Sequence, residues 1–318
     1  MRRRDLLAAA PAAGLLSSLP AASALAEGHA DAALPGAQRF GVGDRTVTAL
    51  LDGGFALDPT LLMGIDEEGY EAAMRAAFRD PETYRTAVNA FLVDAPEGVA
   101  LIDAGSGAAM GPDFGRVPAN LEAAGVAAQD VTTLVATHLH PDHVGGAVEP
   151  DGAARFPNAE LVVHEADRAF WTDPAARDAA PEPVRPFFDL AVAVVEAYSD
   201  RLRIVQGEEE VAPGLTTMPL PGHTPGHMGV MLDAGGGAGL LFWADIVHVP
   251  PVQLAMPQVS VSFDSDAARA AETRAALLDR VAADRLMIAG AHMAFPGLAH
   301  IEAAGDGYRA IPAAYDYG

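Results

Sequence analysis

The sequence predicts an α/β domain built as a sandwich, with sheets inside and helices outside. Two observations carry that expectation: the chain falls into two halves, each strand-rich first and helical after, and no linker run separates them. A third is capacity. The 318 residues, half of them hydrophobic and a fifth charged, suffice to bury one large core.

In order along the chain, residues 1–26 read first as a signal peptide. Arg2, Arg3 and Arg4 form a charged start, residues 6–25 are apolar and Ala-rich, and Ala24-Leu25-Ala26 fits a small-x-small cleavage site. Arg3-Arg4-Asp5-Leu6-Leu7 resembles a twin-arginine signal, which implies a periplasmic or secreted protein. An uncleaved anchor is the alternative, and Pro11 and Pro20 weigh against it. No later stretch offers the ~18 uninterrupted apolar residues of a membrane span, so no stable membrane association is expected after signal removal.

Residues 27–40 are expected to be a flexible leader and residues 41–318 a single domain. Residues 42–51 alternate as a strand, punctuated by Asp52-Gly53-Gly54, and helical spacing covers 67–79 up to Asp80-Pro81. Short apolar strands follow at 89–93 and 99–102, with a hairpin signal across 95–98 and Asp103 at a strand end. Residues 117–124 form a helix closed by Gly125. A buried-type strand at 131–137 runs straight into a His-rich loop; a strand at 160–163 and helices at 165–171 and 182–198 come next. Short strands then fall at 202–205, 215–218, 228–232 and 240–243. Residues 265–283 are the clearest amphipathic helix, capped by Ser265 or Asp266, and 286–289 read as the final strand.

Composition excludes several functions. A formal net charge of −23 repels phosphate backbones and anionic lipid, so nucleic acid is not an expected partner. The absence of cysteine rules out disulfides, Cys-ligated zinc and Cys nucleophiles. Any metal has to be held by His and carboxylate.

The segment from Thr137 to Gly146 reads Thr-His-Leu-His-Pro-Asp-His-Val-Gly-Gly, with four metal-competent side chains within six residues after a buried strand. His138 and His140, two apart at a strand end, can project to one side; Asp142 and His143 sit on the turn that begins a helix. Gly145-Gly146 lets the backbone pass close to the site without a Cβ. Three weaker candidates share a position at strand ends, where loops gather in α/β folds: His223 in a Gly/Pro loop, Asp245 after an apolar strand, and His292 after Gly290-Ala291.

The ordered series HxHxDH, His, Asp, His resembles the metallo-β-lactamase superfamily. Within it, the likeness is to methyl parathion hydrolase-like binuclear metallohydrolases. It is carried by residues 43–50, Asp103-Ala104-Gly105, residues 111–116, HPDHVGG, GHTPGH, Ala291-His292-Met293-Ala294-Phe295-Pro296-Gly297 and His300-Ile301. The resemblance implies a four-layer αβ/βα sandwich with two divalent metal ions at one edge, zinc by preference and manganese, iron or cobalt as alternatives. On that pattern His138, His140 and His223 hold the first ion, Asp142, His143 and His292 the second, and Asp245 bridges both. Two ions so placed share and activate a hydroxide, with Asp142 and Asp245 as the catalytic carboxylates.

Asp103 is expected to steer a ligand from behind, and His227 is read as a supporting residue; His164, His248 and His300 are read as ordinary. Trp171, Phe187, Phe188 and Met110 are candidates for an apolar substrate wall, with Met110 standing where the likeness implies an aromatic residue. The expected function is hydrolysis of an ester-type bond in a small molecule, an aryl phosphotriester or carboxyl ester. Lactone opening is the alternative on the same site, and iron-dependent redox or oxygenase chemistry the alternative of another class. A homodimer fits the same resemblance.

Overall fold

The computed structural model describes residues 36–95 and 98–314. The signal-peptide reading of 1–26, most of the leader and the tip of the 95–98 hairpin lie outside them. In the first half the strands are β1 (Ala37–Val42), β2 (Arg45–Phe55), β3 (Leu62–Met63), β4 (Thr86–Ala95), β5 (Gly98–Ile102), β6 (Val131–Val135), β7 (Glu160–His164) and β8 (Leu202–Val205). In the second they are β9 (Glu210–Ala212), β10 (Leu215–Pro219), β11 (Met228–Asp233), β12 (Gly239–Ala244), β13 (Ser260–Val261), β14 (Met287–Gly290), β15 (Leu298–Ala304) and β16 (Gly307–Pro312). Two seven-stranded sheets result, ordered β1-β2-β4-β5-β6-β7-β8 and β16-β15-β14-β12-β11-β10-β9, while β13 and β3 form a small separate pair.

The strand pleat explains the layering. Successive side chains point to opposite faces, and in β4 Ala90 and Leu92 join a core shared with Leu121, Trp171, Phe188 and Tyr198 of the helical layer. The alternate residues Phe91 and Val93 join Val230, Leu240 and Phe242 of the second sheet. β12 mirrors this, with Leu240 and Phe242 facing inward and Leu241 and Trp243 packing on Leu277, Leu278 and Val281 of the helix Ala267–Asp284. Strands apolar on both faces have to be covered on both, so the order is helix, sheet, sheet, helix. This is the expected α/β fold class.

Parallel pairing sets the working edge. β5 with β6, β6 with β7, β7 with β8 and β12 with β14 are parallel. Each pair needs a crossover on the outer face. The ends of β5, β6, β12 and β14 therefore open onto loops free to carry functional groups. Among the described residues, no helix is long and apolar enough to cross a membrane.

Three expectations need correction. The leader reading of 27–40 fails from Ala37, because β1 pairs with β2 from Ala37 opposite Leu50 and buries Phe40. Strand 286–289 is not the last: β15 pairs with β14 and β16 with β15. The 182–198 helix is regular only over Arg185–Ala197, and a separate helix, Pro174–Ala179, precedes it.

Phe91 and Phe242 meet across the sandwich with ring centroids 5.4 Å apart. Phe242→Ala is expected to destabilise the fold by about 3–5 kcal/mol, the usual cost of emptying a buried aromatic site. Urea denaturation should show it as a lowered midpoint at unchanged m.

Candidate metal centre

β6 ends at Val135, and the chain carries His138 and His140 into the short helix Pro141–Val144, whose first position is a proline preset for helical φ. That turn brings Asp142 and His143 back toward the same point. Gly145 and Gly146 then run against the loop after β5; a Cβ on either would collide with the carbonyl oxygen of Ser106 or Ala104. His223 follows β10, Asp245 comes directly after β12, and His292 stands two residues beyond β14. All seven side chains predicted as ligands therefore come from one edge.

They converge as two sets. His138, His140, His223 and Asp245 offer donor atoms within 4.8 Å of one another, as do Asp142, His143 and His292. In the first set His140 Nδ1 lies 2.9 Å from His138 Nε2 and 3.0 Å from His223 Nε2. Asp245 Oδ2 approaches His223 Nε2 at 3.3 Å and His138 Nε2 at 3.7 Å. Its other oxygen, Oδ1, faces His143 Nε2 at 3.2 Å, so one carboxylate touches both sets. Asp142 Oδ2 completes the second at 3.7 Å from His143 Nε2 and 3.6 Å from His292 Nε2.

The opposite ring nitrogens decide which atoms are free to bind. His143 Nδ1 donates to Asp103 Oδ2 at 2.8 Å, His223 Nδ1 to Asp264 Oδ1 at 2.8 Å, and His292 Nδ1 to the Ala87 carbonyl at 2.8 Å. Thr137 Oγ1 donates to Asp103 Oδ2 and so accepts from His138 Nδ1 at 3.2 Å. With each Nδ1 proton engaged, the four Nε2 atoms present lone pairs inward. Lone pairs facing lone pairs cannot satisfy one another: His143 Nε2 and Asp245 Oδ1 are buried without a hydrogen-bond partner. An all-His/carboxylate donor set in two groups of this size fits two divalent cations.

The electrostatics show how strongly the site draws positive charge, here as protons on its imidazoles. Burial disfavours the imidazolium of His143, but Asp245, Asp103 and Asp142 outweigh it and hold its pKa well above the usual range. At His223 burial is likewise overcome by Asp245 and Asp264, giving a value of about 9. His138 and His140, where burial dominates, are pushed well below the ordinary value. Asp245 is driven well below the usual carboxylate range: burial opposes ionisation, and His143, His292 and His138 reverse it. A buried anion ringed by imidazoles is the charge pattern a cation completes.

Of the remaining predicted residues, Asp103 lies behind His143, and His227 Nε2 accepts from the Asp245 backbone N–H at 3.1 Å while its Nδ1 donates to Leu220 O. Trp171 and Phe187 approach His140 at 5.1 and 6.4 Å between ring centroids. Phe188 does not join them: it packs behind Trp171 in the helical core at 2% exposure, so it is not a wall residue. Met110 is half-buried on the turn before Gly111.

Several residues here were not among the predicted ones. Asp264 holds His223, and Asp167 ties the two ligand loops by accepting from Leu139 N at 3.0 Å and Gly226 N at 2.7 Å. His248, read as ordinary, is fully buried beside Asp245. Phe55 against His292 and Phe263 against His223 extend the aromatic rim.

Fold and site together define an αβ/βα sandwich that carries a candidate two-ion centre at one edge. The family profile described as the metallo-beta-lactamase superfamily matches residues 83–292, and the chain belongs to that superfamily. Among solved structures it is 31% identical to the hydrolase AbOPH of the beta-lactamase superfamily, over 90% of this chain and 100% of that one, with a TM-score of 0.84. The dizinc quorum-quenching lactonase AidC shares the fold at 24% identity and a TM-score of 0.83, over 88% and 98% of the two chains. Among curated proteins, an N-acyl homoserine lactonase of Bacillus sp. is 26% identical over 41% of this chain and 44% of its own length. This chain thus spans less than half the length of the curated lactonases it matches.

Asp264→Ala, which frees the His223 ring, is expected to weaken binding of a divalent ion by ~10–100-fold. Competition against a chromophoric chelator measures it. Removing metal with a chelator should also lower the melting temperature, since it strands buried polar atoms; scanning calorimetry with and without added zinc checks this.

Proposed function

We propose that this protein is a lactonase-type hydrolase that opens the carboxylic ester of a lactone with two zinc ions. The observation that carries the reading is Asp245, one buried carboxylate facing both donor sets. The lactonase relatives favour a cyclic carboxylic ester over the aryl phosphotriester. When bound, the ions supply an activated water and a Lewis acid for the ester oxygen.

The chain's own residues do the rest. His138, His140, His223, Asp142, His143, Asp245 and His292 would hold the ions, and Asp103, Thr137 and Asp264 fix the ring orientations. Asp142 is the ligand most open to solvent, its side chain 14% exposed, which puts the entrance on its side of the site and lets it orient the water. Half-buried Phe55 and Phe187, with Trp171 behind, offer an apolar wall for the acyl portion of the substrate. The export reading belongs to the same proposal: Arg3 and Arg4 address the folded protein to the periplasm.

Elemental analysis combined with a panel of lactones, linear esters and aryl phosphotriesters tests the reading. Two metal equivalents and lactone turnover are expected; phosphotriester turnover with lactones untouched would overturn the substrate assignment. Oxygen uptake by iron-loaded protein would point instead to redox chemistry. His140→Ala should abolish turnover while circular dichroism stays native. Replacing both Arg3 and Arg4 by Lys should leave the protein in the cytoplasmic fraction of cells.

A further inference from the structure

Asp245 Oδ2 has one neighbour more than two donor sets require. It lies 3.0 Å from His292 Nε2 and 3.3 Å from His223 Nε2, both of which belong to those sets. At 3.1 Å it also meets His248 Nε2, which belongs to neither. A carboxylate only accepts, so a hydrogen bond there needs its proton on His248 Nε2. His248 Nδ1 is buried with no partner, as an imidazole carrying its single proton on the other nitrogen would leave it.

The rest of His248 is held with unusual completeness for a residue with no assigned task. Its N–H donates to Gln253 Oε1 at 2.7 Å, the next N–H, of Val249, donates to the same oxygen at 2.9 Å, and Gln253 Nε2 is anchored on Val259 O. Thr86 Oγ1, from β4 in the other half of the chain, donates to the His248 carbonyl at 3.1 Å. The ring stacks on His292 with centroids 5.0 Å apart and planes 25° apart, and takes Phe263 edge-on at 5.2 Å. Backbone and ring are fixed together, and Nε2 is aimed at Asp245.

An aspartate shared by two ions needs such an aim. Its terminal torsion is broad and roughly two-fold, so a carboxylate without a further partner can turn away from one of the two donor sets. We propose that His248 is a positioning residue whose Nε2–H donates to Asp245 Oδ2 and holds the carboxylate so that it keeps facing both donor sets. This rests on the two-ion reading above. A direct ligand role is disfavoured, because each donor set already counts four groups with Asp245, and His248 shares its grouping only with Asp245 and His292.

The test titrates metal-free wild type, His248→Phe and His248→Gln with cobalt(II), following equivalents bound and the visible absorption bands. If the wild type fails to take two equivalents, the two-ion reading fails, independently of either variant. With two equivalents established, His248→Phe, which keeps the ring volume, should bind the first ion as wild type and the second ~10–100-fold more weakly, with altered bands. His248→Gln restores an N–H donor and should recover most of the loss. Wild-type behaviour of His248→Phe overturns the proposal, and so does a glutamine variant as weak as phenylalanine, which would mark His248 as a ligand. A second measurement needs no Phe variant: nitrogen-15 spectra of the zinc-loaded wild type should show His248 with its proton on Nε2, assigned by the loss of that signal in His248→Gln. A proton on Nδ1 overturns the assignment.

Discussion

A carboxylate almost wholly withdrawn from water is the constraint around which this structure is arranged. Asp245 is 3% exposed, and an isolated anion at that depth is far too costly to keep. Its neighbours therefore have to come to it, and they come from both halves of the chain: His138 and His143 from the loop after β6, His223 and His292 from loops after β10 and β14. Only a sandwich whose two sheets share an edge delivers them together. Bonds between the halves cluster at that edge, among them Asn89 N to Ala291 O at 2.9 Å and Met228 N to Thr137 O at 3.0 Å.

A strongly acidic protein has spent part of its acidity inside, as clamps. Asp52 is fully buried and accepts from the backbone N–H groups of Ser106, Gly115 and Val117, folding the loop after β5 onto β2. Asp167 does the same for the loops of His140 and His223, and Asp264 accepts from Val261 N while holding the His223 ring. Carboxylates so used are short and have two oxygens that accept several donors at once. Arg274, 1% exposed, works from the other side: it donates to the carbonyls of Ile246, Pro257 and Val259 and stands 4.0 Å from Asp264. One buried cation thus joins the segment after Asp245 to the segment that carries Asp264.

What could be read from the sequence follows from range. His138, His140, Asp142 and His143 lie within six residues, so their convergence is a local matter of a strand end and one helical turn. His223, Asp245 and His292 were legible because each follows an apolar strand, and strand ends are where α/β loops gather. Asp264 has no such signal. It sits in a Ser-Phe-Asp-Ser-Asp run that reads as a lead-in to a helix cap, and its partner is 41 positions away. His248 has the same difficulty in reverse, lying so near Asp245 in sequence that nothing marks its ring as turning back. β1, β15 and β16 were hidden for a different reason. They lie at or near the sheet edges, and they owe their strand state to the neighbours they pair with rather than to their own alternation.

Backbone strain completes the picture of a site assembled against local preference. Asp103 and Ala244 adopt left-handed φ values of 61° and 49°, a region that non-glycine residues enter at a cost of ~1–3 kcal/mol. Both adjoin the centre: Asp103 holds His143, and Ala244 aims Asp245 out of β12. Neither conformation is free to relax. Asp103 N donates to Val135 O at 2.9 Å while its carboxylate takes Thr137 N and Oγ1, and the N–H after Ala244 is caught by His227. An unstrained strand end would run straight on, carrying Asp245 away from the imidazoles that surround it. The strain and the convergence of ligands are the same geometric fact, and the ring of buried hydrogen bonds holds both in place.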